Sequence, residues 1–168
     1  MNESSSLSAS TFRSPRSDKE NDVTDPLRVL IVEDEALLQM QLEIYVEEAG
    51  HTVAGCASSL SAAMELVGRE PADLALVDVH LADGPTGMEV GRAFVQAGIG
   101  VVFVTANPKR VPDDFCGAIG VIGKPYTQAS LQEALDFLVA AVRRPPPRPP
   151  VPLCLTLAPL LAKQWRLS

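Results

Sequence analysis

Histidine and cysteine are scarce in this sequence, at two and three residues, and neither type is arranged for metal binding or cross-linking. Cys56, Cys116 and Cys154 are widely spaced, no CxxC occurs, and His51 and His80 stand apart. A disulfide framework and a zinc site are therefore not indicated, and a reducing cytosol suits the composition. Also missing is any run of the roughly eighteen apolar residues that a membrane span needs. The opening MNESSSLSASTFRSPRSDKENDVTDP lacks the apolar stretch of a signal peptide. These absences point to a cytoplasmic protein without membrane insertion. Basic residues are thin where a core is expected: residues 27–142 hold six Lys or Arg against sixteen Asp or Glu. Phosphate-backbone contacts need clustered basic side chains, so no nucleic-acid partner is expected for this part. Residues 143–168 reverse the balance, with five basic residues and none acidic.

What the chain does contain is alternation. Residues 1–26 are Ser-rich and charged, and read as a disordered extension. From Leu27 short apolar runs alternate with helical patterns: strands at 27–32, 52–57, 74–77, 101–104 and 119–122, and helices at 36–49, 60–67 and 87–96. A weaker helix is expected near 111–116, and a final one over 128–142 with Thr127 or Ser130 as N-cap. In the last, Leu131, Leu135, Leu138 and Val142 share a face. Five strands and five helices in this order predict an α/β fold, a doubly wound five-stranded parallel sheet with helices on both faces. Runs such as VLIV and VVFV suit strands buried on both sides. After Val142 comes RRPPPRPP, which cannot continue a helix and marks the domain's end at 142. The remaining 143–168 segment is Pro-rich, then apolar, interrupted by Pro159, and is expected to be an appendage. It is too short for a DNA-binding or enzymatic output domain.

Carboxylates stand where the strands end. Glu33 and Asp34 follow the first strand and Asp78 the third, and in a parallel sheet ligands gather outside the carboxyl ends. Separate strands delivering acids to one edge make an anionic pocket that calls for a hard cation, which takes oxygen ligands. Taken singly, each residue has a plainer explanation: Asp34 as a helix cap, Asp78 in an ordinary loop, Thr105 in a strand, Lys124 as a solvated lysine.

Taken in order, Glu33 and Asp34, Asp78, Thr105, and Lys124 followed by Pro125 resemble the receiver domain of bacterial two-component response regulators, over about 27–142. The resemblance implies a flavodoxin-like sheet and a single-domain response regulator, a non-enzymatic phosphoprotein signalling in a phosphorelay. It implies Asp78 as phosphoacceptor and Glu33, Asp34, Asp78 and the backbone carbonyl of His80 as Mg2+ ligands. Lys124 and Thr105 would serve the phosphoryl oxygens, and the Lys124–Pro125 bond would be cis. The implied partners are a histidine kinase or phosphotransfer protein and a downstream protein that favours the altered state. His80 is expected to modulate hydrolysis or to be merely a loop residue, rather than a phosphoacceptor, and Asn107 to position or exclude the hydrolytic water.

The chain departs from the pattern in three places. Val121 stands three positions before the lysine, where an aromatic is common, and Tyr126 does not inherit that switching role. The loop after Asp78 is one residue longer than usual and lacks a proline at Ala82. Pro108 and Pro112 fall where the helix after the fourth strand should begin, making it short, displaced or mobile. Other functions fit less well. A haloacid dehalogenase-like phosphatase needs a D-x-D where this chain has Glu33, Asp34 and Glu35. A flavin binder needs a hydroxyl-rich phosphate loop. A phosphorylation-independent receiver-fold adaptor is the alternative reading.

Overall fold

The structure is a computed structural model and describes residues 25–167. The extension assigned to 1–26 lies outside the described residues except for Asp25 and Pro26. Six strands form one sheet in the order β2-β1-β3-β4-β5-β6. The first five, β1 (Arg28–Val32), β2 (Thr52–Ala57), β3 (Leu74–Val77), β4 (Gly100–Thr105) and β5 (Gly120–Gly123), are parallel. Alternation of side chains across the pleat divides their apolar residues between two cores. Val29, Ile31, Leu74, Leu76, Val102, Val104 and Ile122 meet α1 (Ala36–Glu48) and α4 (Gln128–Arg143) on one face. Leu30, Val32, Ala75, Val77, Val101, Phe103 and Val121 meet α2 (Leu60–Leu66) and α3 (Gly87–Gln96) on the other. The doubly wound arrangement expected from the sequence is thus present. Thr127 caps α4 with Ser130 in a reciprocal capping box, so both candidate caps take part.

Two expectations fail. Among the described residues no α-helix lies between β4 and β5; residues 111–116 are mostly loop, flanked by 3-10 turns at Pro108–Arg110 and Phe115–Gly117. Proline cannot donate to a helical ladder, and Phe115 and Cys116 adopt φ of 51° and 53°, which turns the chain away from a right-handed helix. The sheet also has a sixth strand. The segment read as an appendage forms β6 (Leu155–Leu157), antiparallel to β5, and α5 (Pro159–Trp165). Pro159, read as an interruption, is the first residue of α5, where its missing N–H costs nothing. Fully burying a leucine is worth roughly 1.5–3 kcal/mol, so Leu155 and Leu157, both buried, are enough to hold so short a strand.

His51 joins the start of β1 to the end of α1. Leu27 N–H donates to its Nδ1 at 3.2 Å, which requires a neutral ring, and Nε2 is buried without a partner among the described residues. Burial lowers its pKa below the ordinary imidazole value; the Arg143 charge adds to this and the Asp136 charge opposes it. The unfolded chain therefore takes up the proton first. Its contribution to stability is complete above about pH 6.5, the ordinary histidine value, and is lost as pH falls through it. Urea denaturation at pH 7.5 and 5.5 should show a lower midpoint at the acidic value. A His51→Asn variant should lose part of that dependence; an unchanged slope would remove His51 as its source.

Candidate functional site

The carboxyl ends of β1, β3, β4 and β5 converge as the parallel topology demands. Glu33 and Asp34 leave β1, Asp78 leaves β3, Thr105 ends β4 and Lys124 follows β5. Carboxylate oxygens of Glu33, Asp34 and Asp78 lie within 4.8 Å of one another. Glu33 is only 1% exposed, with the amide of Glu35 donating to its Oε1 at 3.2 Å. The N-cap of α1 is Glu35 rather than Asp34. Capping is therefore not what places Asp34 here.

Lys124 is the cation of this cluster. Its Nζ donates to Glu33 Oε2 at 2.7 Å and to Asp78 Oδ2 at 2.9 Å. Burial alone would depress its pKa, but the hydrogen bonds to Glu33 and Asp78 outweigh burial and raise it above the ordinary lysine value. The Glu33 carboxyl is pushed up by burial and, less, by the Asp78 charge, against the pull of Lys124. These directions describe incomplete neutralisation: one ammonium shared by two carboxylates is well compensated, while the deeply buried Glu33 is not. With Asp34 beside them, three acids face one base. That donor set fits a hard divalent cation, which oxygen ligands hold.

The sequence-predicted residues thus share one sheet edge. Asp78 Oδ1 accepts from the His80 amide at 3.3 Å, and Thr105 Oγ1 accepts from the Asn107 amide at 3.1 Å. The Lys124–Pro125 bond is cis. Val121, in place of an aromatic, is buried in the core on the α3 side. Tyr126 lies on the opposite face, edge-on to Tyr45 at 6.5 Å between ring centres, with its hydroxyl buried and unpartnered among the described residues. Burial pushes that phenol up to about 12. It is a packing residue.

Three supporting residues escape sequence reasoning. Gly87 opens α3 so close to the Asp78 loop that a Cβ there would lie 1.8 Å from the Asp78 carbonyl oxygen. The available clue is a glycine at a loop-to-helix junction shortly after a key aspartate. Asp83 ties the long loop down, accepting from the Leu60 amide at 3.0 Å and from Thr86 Oγ1 at 2.7 Å. Arg110, on the 3-10 turn after β4, donates to His80 Nε2 at 2.8 Å, so the turn and the loop after Asp78 touch. Nothing in sequence spacing pairs those two.

Residues 29–136 match the response regulator receiver domain. The phyllosphere-induced regulator PhyR of Methylorubrum extorquens is 33% identical over 123 residues, covering 69% of this chain and 46% of that protein. The transcriptional regulatory protein PdtaR of Mycobacterium tuberculosis is 30% identical over 126 residues, 73% of this chain and 61% of that protein. The chain therefore spans about half to three fifths of the length of these relatives. Among solved structures, the receiver domain of Erythrobacter litoralis PhyR superposes with a TM-score of 0.62 at 31% identity, covering 74% of this chain and 97% of that one. Among the described residues no helix is long and apolar enough to cross a membrane. With its doubly wound sheet and its acidic cluster at the strand ends, the chain belongs to the response regulator receiver family.

Proposed function

We propose that this receiver accepts a phosphoryl group on Asp78 from a histidine kinase or a phosphotransfer protein. The observation that carries the reading is the Lys124 ammonium, held 2.9 Å from Asp78 and 2.7 Å from Glu33 in a cluster with an excess of negative charge. An Asp78 oxygen attacks the phosphorus of a phosphohistidine. The O–P bond forms as the N–P bond breaks, and the departing imidazole keeps the electron pair and gains a proton from solvent. Glu33, Asp34, Asp78 and the His80 backbone carbonyl would hold Mg2+, whose charge relieves the repulsion between phosphoryl group and carboxylates. Lys124 then exchanges one anionic partner for another, a charge-assisted contact in both states. Thr105 offers a hydroxyl to a phosphoryl oxygen. His80, whose ring accepts from Arg110, would modulate hydrolysis of the adduct.

The donor needs a place to dock. Directly after Glu33 and Asp34, α1 carries Leu37, Met40 and Ile44, which are 80%, 57% and 46% exposed. Spaced three and four apart, they share one outer stripe beside the site. An apolar helix face of the donor suits this stripe, since it would bring the phosphohistidine next to Asp78. Output then proceeds by protein contact or phosphate flow rather than by catalysis on another molecule.

Incubation with acetyl phosphate should add one phosphoryl mass to the wild type when Mg2+ is present, and none to Asp78→Asn. Intact mass measures both. No adduct in the wild type, even with a beryllium fluoride mimic, would replace this reading with a phosphorylation-independent adaptor. Gly87→Ala gives an independent check, because its Cβ would strike the Asp78 backbone rather than any ligand. Overpacking of this kind costs roughly 1–3 kcal/mol, and displacing the nucleophile should slow adduct formation about tenfold or more. A Gly87→Ala protein with wild-type rate and stability would show that this close approach does not position Asp78.

A further inference from the structure

The outer edge of β5 is filled by the chain itself. Leu157, Thr156 and Leu155 pair antiparallel with Gly120, Val121 and Ile122, and the Ala158 amide donates to the Ile119 carbonyl at 2.9 Å. The fit is close: a Cβ on Gly120 would lie 2.4 Å from the Thr156 carbonyl oxygen. Around this strand Val151, Cys154, Ala162, Trp165 and Leu167 pack on the core shared with α4, and Cys154 Sγ donates to the Ser130 carbonyl at 3.1 Å. The segment 151–167 itself lies beyond the matched receiver residues 29–136.

The strand that carries this segment also carries the site. Lys124 follows Gly123 directly, and its amide donates to the Thr105 carbonyl at 2.9 Å. Loading of Asp78 draws the Lys124 ammonium and the Thr105 hydroxyl toward a new dianionic group, and both sit at the ends of β4 and β5. The β4–β5 ladder has four registered pairs inside the sheet, whereas the β5–β6 ladder has three at its rim. An adjustment of β5 is therefore taken up at the weaker, outer ladder.

We propose that residues 151–167 are a built-in occupant of the β5 edge, and that phosphorylation of Asp78 releases them. The proposal rests on the reading of Asp78 as phosphoacceptor. While docked, the segment excludes any partner that would add an extended strand to β5. Its release frees that edge, together with the apolar face of α4 beneath Trp165.

Trp165 is the one tryptophan of the chain, so its emission reports the docked segment. The full chain would be loaded with acetyl phosphate and Mg2+, the adduct quantified by intact mass, and Trp165 emission and amide exchange at 155–158 followed in parallel. Leu157→Asp, outside the phosphorylation site, supplies the spectrum of the released state. The expected result is a red-shifted emission and exchange faster by about tenfold in loaded wild type, approaching Leu157→Asp, with no change in Asp78→Asn. The wild-type and Asp78→Asn arms stand alone if Leu157→Asp fails to fold. A full adduct with unchanged Trp165 emission and exchange would overturn the release while leaving Asp78 as phosphoacceptor. Absence of adduct would overturn that reading and the release with it.

Discussion

Lys124 bonds to Glu33, 91 positions earlier in the chain, and to Asp78, 46 positions earlier. Here that contact is made because β1, β3 and β5 lie parallel with their carboxyl ends level. The ladder registers supply this: Val32 pairs with Val77, Val77 with Phe103, and Thr105 with Gly123, so the residues that follow emerge on one edge. Like charges gathered there repel, and burial of Glu33 sharpens the repulsion by removing the water that would screen it. The ammonium is the cluster's internal remedy, and an incomplete one. The excess negative charge it leaves is what the proposed Mg2+ would offset.

The rest of the fold serves to keep that edge in place. Gly87 lets the start of α3 approach the Asp78 backbone, and Gly91, one turn later, lets it approach the Phe103 ring, where a Cβ would lie 2.5 Å away. Both glycines lie on the face of α3 that meets β3 and β4, so the position of Asp78 depends on helix packing as much as on its own strand. On the other side of the sheet, Arg143 at the end of α4 bonds in bidentate fashion to Asp73 at 3.1 Å. That pair ties α4 to the entry of β3, at the end of the strand opposite to Asp78.

Most of this fold is legible in the amino-acid sequence, and the reasons differ by element. The inner strands β1, β3 and β4 are readable because strands buried on both faces have apolar runs, while β2 is a partly buried edge strand. The clustering of the candidate site residues is readable because they stand directly at the ends of those runs. Gly87, Asp83 and Arg110 are not, since their roles depend on distances across the fold rather than on spacing along the chain. The segment between β4 and β5 misleads in the opposite direction: Val111 and Cys116 are buried like helix residues, but on a loop set by Pro108 and Pro112. The sixth strand escapes because LTL is too short for a periodic signal, and the prolines before it mask the return of the chain.

That return answers a structural need. A five-stranded parallel sheet ends on β5 with a row of unpaired backbone groups, and Gly120 leaves that row without a side chain to guard it. Such an edge invites any extended chain. Here the guard is covalently attached, antiparallel and only three residues long, and the 143–168 segment that carries it has five basic residues and no acidic ones of its own. Arg143 among them pairs with Asp73, an attraction that salt weakens while the hold of the buried leucines does not weaken. A cover built this way is always present at high local concentration yet contributes few interactions. It is therefore suited to shielding the edge in one state of the site and yielding it in another.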